Sequence, residues 1–457
     1  MVGNNAPTEL GTQKIGKLLT QYAIPAIIAM TASSLYNMVD SIFIGHGVGP
    51  LAISGLAVTF PLMNLAAAFG SLVGVGASTL ISVKLGQKDY DTAQRVLGNV
   101  VVLNLIIGLG LTAVALMFLD PILYFFGASE STIGYARDYM QVILLGNVVT
   151  HLYFGLNAVL RSSGHPRKAM VATIVTVTVN TVLDPIFIFG FGWGIRGAAY
   201  ATVLAQIVSL IWLLKLFSNK EELIHFRPGI FRLQRKIVQA SLAIGLSPFL
   251  MNLASCFIVI LINNGLKRYG GDLAIGAFGI VNRIIFLFAM VVMGLNQGMQ
   301  PIAGYNFGAR QYQRVTQVLK ITILCATGVT TTGFLVGLLI PDVAVSAFTT
   351  DPELIGLAAG GMRISVLVFP IVGFQMVTSN FFQSIGMAGK AIFLSLTRQV
   401  IFLIPCLLIL PRFIDNGIWW SLPASDLMAS LVSACLLIWQ FRQFKKMAQE
   451  NSLATEM

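Results

Sequence analysis

Two carboxylates stand where the surrounding sequence is apolar. Asp40 lies in LYNMVDSIFIG (35–45) and Asp184 in NTVLDPIFIFG (180–190), both inside long hydrophobic runs. A charge at the centre of a bilayer costs at least about 2.5–3.5 kcal/mol, so an acid kept there faces a cavity, a partner or an ion. An unpaired carboxylic acid in such surroundings takes up a proton readily and suits a proton carrier, whereas a bound cation holds it ionised. The neighbours define the chemistry on offer. Asn180 and Asp184 are four residues apart and share a helix face. Pro185 lacks an N–H and its ring clashes with the Thr181 carbonyl, so it loosens the turn near Asn180 and exposes backbone carbonyls. The stretch RGAAYATVLAQ (196–206) adds Tyr200 and Thr202, and Tyr36 and Asn37 precede Asp40 by about one helical turn. Carboxylate, amide oxygen, hydroxyl and carbonyl are the ligands that Na⁺ uses, as other hard cations do. The same side chains also suit a closed hydrogen-bond network between packed helices, and the spacing accommodates both.

The elements that must carry these groups follow from composition. The chain has 457 residues, 56% hydrophobic and only 10% charged, with mean hydropathy +0.82. That is too little charge to cover a water-facing surface. Apolar runs of spanning length fall at 17–45, 51–84, 92–118, 132–160, 167–190, 195–217, 237–265, 273–307, 312–340, 354–384, 389–411 and 417–441, here numbered spans 1 to 12. The chain is therefore expected to be an all-α, polytopic membrane protein. Its first run is longer than the core of a signal peptide and is read as a retained span. Cys256, Cys325, Cys406 and Cys435 fall within spans at unrelated spacings, as small apolar residues do. Of the 29 Lys and Arg, 21 fall on the side of the N-terminus and four opposite. That bias puts both termini in the cytoplasm and accounts for the net charge of +11 without a nucleic-acid partner.

The longest internal polar stretch, KLFSNKEELIHFRPGIFRLQRK (215–236), divides the chain into an N-terminal six-span bundle (1–214), a cytoplasmic linker (215–236) and a C-terminal bundle (237–457). A repeat appears at a shift of 222: KLGQKDYDTAQRVL (84–97) lies over NFGARQYQRVTQVL (306–319), and RSSGHPRKAM (161–170) over QSIGMAGKAI (383–392). Repeats separated by an even number of spans share one orientation, so the halves are parallel repeats. Two such bundles around a central cavity are an architecture of alternating-access transporters. The small-residue runs GSLVGVGAS (70–78) and GLNQGMQ (294–300) predict close helix packing. GTQKIGKL (11–18) ends in Leu18 and follows no strand, so it is no phosphate-binding loop.

The other ionisable groups inside spans are Asp426, Arg283 and Arg398, with Asp138 and Arg363 near outer ends, where Arg137 is expected to pair with its neighbour Asp138. Pro25 of span 1 has a counterpart in Pro248, one residue out of step with the repeat. Span 7, SPFLMNLASCFIVILINNG (247–265), has no acid opposite Asp40. No H-E-x-x-H or G-x-S-x-G occurs, and the four histidines suggest no enzyme.

On the first-span PAIIAMTASSLYNMVDSIFIG, on KLGQKDYDTAQ with its repeat NFGARQY, on NAVLRSSGHPRKAM and on LDPIFIFGFGWGIRGAAYAT, the chain resembles the multidrug and toxic compound extrusion (MATE) family over essentially its whole length, with the pattern of the prokaryotic DinF-like branch. The resemblance implies a secondary active exporter, without cofactor, that exchanges H⁺ or Na⁺ for organic, often cationic and amphipathic compounds. It implies coupling at Asp40, Asn180 and Asp184, with Tyr36 and Thr202 at matching neighbours. Na⁺, where used, would sit at Asp40, Asn180, Asp184 and Thr202. The family's other large bacterial branch carries acids in spans 7 and 10; here those spans offer Ser255, Asn263 and Gln375, which leaves the coupling to the first half. Met30, Met63, Phe154, Arg283, Phe286 and Met290 are candidates for a substrate cavity suited to flat cations, and Pro25 and Pro185 for hinges. The expected setting is the cytoplasmic (inner) membrane, as a monomer in the lipid bilayer. A lipid-linked-oligosaccharide flippase of the same superfamily is the alternative, which an Arg-rich cavity would favour.

Overall fold

The computed structural model describes residues 8–456, and every regular element among them is helical. Ten helices are long and apolar enough to cross a bilayer, and two sharply bent pairs bring the number of spans to twelve. Spans 1 to 3 are Ile15–Gly47, Leu51–Gly86 and Tyr90–Met117, and spans 5 and 6 are Pro166–Gly190 and Gly194–Phe217. Spans 7 to 9 are Arg235–Leu266, Leu273–Gly308 and Tyr312–Leu339; spans 11 and 12 are Ala388–Arg412 and Gly417–Gln449.

Spans 4 and 10 are not the continuous helices that their apolar runs suggest. Span 4 is Ile133–Leu145 and Asn147–Ser162, bent by 54°; span 10 is Pro352–Ser365 and Phe369–Ser384, bent by 58°. The first break falls at Gly146 and the second at 366–368, where Pro370 sits in the first turn of the new helix and has no N–H to carry the old one through.

The two breaks are one feature used twice, because the 222-residue repeat holds in three dimensions. Spans ending at Gly86, Met117, Ser162 and Gly190 have counterparts ending at Gly308, Leu339, Ser384 and Arg412. Lys88 and Arg310, neither a glycine, both adopt φ 59° in equivalent turns, and Gly164 and Gly386 share the left-handed region. The apolar cores match as well: Ala52, Ala136 and Met140 in one correspond to Ala274, Ala358 and Met362 in the other.

The chain folds as two compact units whose edges differ from the expected ones. Ile28–Phe249 belongs to the first, while Gly11–Ile27 joins Leu250–Met457 in the second. Small residues explain both transfers. A Cβ on Gly76 of span 2 would overlap the Ser241 carbonyl, and one on Gly245 would overlap that of Leu72, so the start of span 7 lies backbone to backbone against span 2. In the second unit Gly294 and Gly298 of span 8 receive Ile27 and Ala23 of span 1 in the same way.

Residues 215–236 are also fastened to the first unit. Asn99 binds the Arg232 carbonyl (3.2 Å) and the Gln234 N–H (3.0 Å), Gln94 donates to the His225 carbonyl, and Arg227 pairs with Asp91. Glu222 takes both Lys168 and His165 at 2.8 Å.

Candidate functional site

Span 1 carries Asp40 into the first unit, and spans 5 and 6 bring the rest. Asp40 is 5% exposed, Asn180 1% and Asp184 fully buried. The carboxyls of Asp40 and Asp184 come within hydrogen-bonding reach of one another. Two carboxyls in contact at membrane depth do not both stand as bare anions; a shared proton or a bound cation relieves them.

The other three residues close the cluster. Tyr36 Oη lies 3.0 Å from Thr202 Oγ1, and Thr202 also reaches the Ala198 carbonyl at 3.1 Å. Asn180 bridges the acids to this pair. With its amide turned so that both its ends are satisfied, its N–H donates to Asp184 Oδ2 at 3.0 Å; its oxygen accepts from the Thr202 hydroxyl at 3.2 Å and the Thr202 N–H at 3.0 Å. Asp40 Oδ1 is left buried with no partner among the described residues. Three oxygen-bearing side chains thus surround a carboxyl pair, a set fit to hold a proton or a small hard cation.

Two neighbours weighed from the sequence stay outside. Asn37 is exposed. Tyr200 turns away and packs edge-on against Trp193, ring centroids 5.6 Å apart. One residue went unread: Tyr139 of span 4, 2% exposed, lies within electrostatic range of Asp40, Tyr36 and Asp184. Its only sequence signal was a hydroxyl on an aromatic in an otherwise core-like stretch.

Pro185 acts one turn later than its spacing suggests. The α-helix runs unbroken through Asn180 to Pro185 and widens into a π-turn at Ile186–Gly190, where Phe191 N–H reaches the Ile186 carbonyl at 2.9 Å. The missing proline N–H is accommodated by lengthened bonds downstream, so the helix around Asn180 keeps its shape. Pro25 is buried within an unbroken helix, two residues before span 1 passes from one unit to the other.

The cavity candidates fall in both units. Met30, Met63 and Phe154 are in the first; Met63 packs on its apolar core and Phe154 is half exposed against Tyr153. Arg283, Phe286 and Met290 are in the second, with Arg283 exposed. The remaining interior charges are matched otherwise than expected. Arg137 binds Asp120 through two bonds of 2.8 and 2.7 Å, and Asp138 binds Arg196 at 2.7 Å. Adjacent helical residues point in different directions, which rules out the simple 137–138 pair. Arg363 meets Asp342 at 3.1 Å, and Arg398 of span 11 meets Asp426 of span 12 at 2.6 Å.

Known proteins resemble this chain along nearly its whole length. The solved structure of the MATE multidrug transporter DinF-BH, in complex with rhodamine 6G, is 35% identical with a TM-score of 0.88, covering 96% of this chain and 98% of that one. A transporter of the MOP superfamily from Pyrococcus furiosus has the same fold at TM-score 0.91 and 24% identity, over 98% of this chain and 99% of its own. The multidrug export protein MepA of Staphylococcus haemolyticus is 27% identical over 94% of both chains. The MatE family model matches twice, at residues 25–186 and 243–408, once in each repeat. The chain therefore belongs to the MATE family of membrane transporters, whose members are not enzymes.

Proposed function

We propose that this protein is a secondary active multidrug exporter of the cytoplasmic membrane, with both termini in the cytoplasm, acting as a monomer. It exchanges extracellular H⁺ or Na⁺ for cytoplasmic organic compounds, often cationic and amphipathic, by alternating access. The observation that carries this reading is the contact of Asp40 with Asp184 inside the ring of Tyr36, Asn180 and Thr202. Two acids without a cationic side chain respond to whichever cation the solution supplies. The names of MepA and DinF-BH support the multidrug part.

With the cavity open outwards, an ion enters the cluster and neutralises the acids. The packing of span 1 then changes, with Pro25 as its weak point, and the bound organic cation is released. An ion moves the equilibrium only through its different affinity for the two states. A carboxyl pair that is tolerable when neutralised and repulsive when bare provides that difference. The Asn180 amide serves either ion: its N–H can steady an ionised Asp184, and turned over, its oxygen can accept from a protonated acid or bind Na⁺. The flippase alternative asks for an Arg-rich cavity; Arg137 and Arg363 are each taken by an acid. The contact of Asp40 with Asp184 counts against it, while the exposed Arg283 is the residue that favours it.

Dye efflux in inverted vesicles tests the proposal, with wild type against Asp40→Asn and Asp184→Asn under a Na⁺ gradient and then a pH gradient. Loss of transport in both variants at normal membrane levels supports the coupling role, and the gradient that drives wild type names the ion. Full coupled transport in both variants makes the acids packing residues and ends the mechanism.

A further inference from the structure

The second unit has a polar centre of its own, on the repeat counterparts of the helices that carry the first. Span 11 corresponds to span 5, span 12 to span 6 and span 7 to span 1. Arg398 of span 11 meets Asp426 of span 12, and the next residue, Gln399, donates to Ser255 of span 7 at 3.0 Å. Arg398 is ten residues into its span and Asp426 nine into its own, about 15 Å and 14 Å along their helices. Both therefore lie near the middle of a hydrocarbon core about 30 Å thick.

The pair is made in an unusual way. Arg137 grips Asp120 through Nε and a terminal nitrogen together, but Arg398 uses Nε alone, at 2.6 Å. Its two terminal nitrogens donate to nothing among the described residues. The side chain of Arg398 is 32% exposed and that of Asp426 12%, so the accessible member is the cation. Beside it Gln399 Oε1 is buried without a partner. A buried ion pair adds little to stability over apolar residues of the same volume. A guanidinium with its fork open at this depth faces something polar. The fork matches a carboxylate's two oxygens. Lipid phosphates sit at the interface, about 15 Å away, so the anion must arrive on a compound within the protein.

We infer that Arg398, held by Asp426, is a subsite for an anionic group on the transported compound, extending the substrates from plain cations to zwitterions and organic acids. The inference rests on the multidrug reading above. Asp426 is a positioning residue: it fixes Nε and turns the terminal nitrogens outwards.

The test titrates the full-length protein, in phosphatidylcholine nanodiscs free of anionic lipid, with rhodamine 6G and with its free acid. The two dyes differ only in an ester hydrolysed to a carboxylate. In Arg398→Gln/Asp426→Asn, which removes the pair without stranding a charge, the Kd of the free acid is expected to rise about tenfold, the worth of a charge-assisted bond, with rhodamine 6G within about twofold of wild type. Arg398→Lys keeps the charge but loses the fork, and a smaller loss confined to the free acid is expected. That variant carries the test if the double variant does not fold. Parallel weakening of both dyes, or no change for the free acid, overturns the inference. Wild-type protein that binds neither dye overturns the multidrug reading along with it, whereas wild type that binds both dyes, with every variant binding each as wild type does, overturns the inference alone.

Discussion

Replacing Thr202 by valine removes one hydroxyl and keeps the shape of the side chain. That hydroxyl is the joint between Tyr36, at 3.0 Å, and Asn180, at 3.2 Å. Asn180 is 1% exposed and keeps the Thr202 N–H, while Tyr36 is half-buried and loses the one side-chain partner its hydroxyl has among the described residues. Leaving such groups short of a partner costs about 1–3 kcal/mol. Where that penalty lands separates the two readings that the sequence left open. If the network assembles with the coupling ion, the half-saturating Na⁺ or H⁺ concentration for dye efflux rises about 5- to 150-fold, and Thr202→Ser restores it. If the network is plain packing, present in both states alike, the penalty falls on stability. The assay is efflux against ion concentration in proteoliposomes, alongside thermal unfolding of the same preparations. A lower melting temperature with an unmoved half-saturating concentration would refute the coupling role of this cluster.

Other substitutions reach further into the fold. Gly76→Ala drives a methyl into the Ser241 carbonyl and should destabilise by about 1–3 kcal/mol or more, read as a lower melting temperature. Gly110→Ala, with nothing within 4 Å of its Cβ, should leave the melting temperature unchanged. Pro25→Ala and Pro248→Ala restore an N–H beside the points where spans 1 and 7 change unit, at Ile27 and Phe249. Each should slow transport on the order of tenfold with dye affinity intact, as a conformational step does; unchanged rates in both would remove the hinges. At the linker, part-burial pushes the Glu222 carboxyl up, but the contacts from Lys168 and His165 outweigh it and hold the group below the usual range. Its contribution is therefore present above the unfolded value of about 4.3 and lost as pH falls through the lower folded value. Protease cutting of residues 218–234 should stay flat from neutral pH to about 5 and rise below about 4, and Glu222→Gln should show the faster cutting at every pH.

The fold was legible because a bilayer leaves few options. Apolar length gave the spans, and the repeat of 222 residues appears again as paired bends and as Lys88 and Arg310 in one backbone conformation. The residues of the cluster were legible for a related reason: an acid amid apolar residues, with an amide four positions away, stands out by its desolvation. Partnership was not legible. Sequence marks Arg137 and Arg398 as charges that need matching, yet the acids that match them lie 17 and 28 residues away, across a turn or on the next span. Tyr139 was missed because a buried tyrosine looks like core until the fold brings it within electrostatic range of two acids. The unit edges were missed because the polar stretch at 215–236 marks a loop, whereas the edges are set by glycines that let spans 1 and 7 cross.

Duplication gave both units one scaffold, and the difference between them lies in where each acid finds its counter-charge. In the second unit Asp426 has Arg398 on the chain itself, so that centre stays neutral whatever the ionic conditions outside. In the first, Asp40 and Asp184 have each other, an amide and hydroxyls, and no cationic side chain among the described residues pairs with either. Charge at membrane depth must be balanced, so the first unit has to draw its cation from solution. A centre that borrows its cation is sensitive to an ion gradient; one that carries its own is not. On the proposed mechanism, placing both on a single chain divides the work: ion coupling falls to spans 1, 5 and 6, and their counterparts are free to recognise the compound carried.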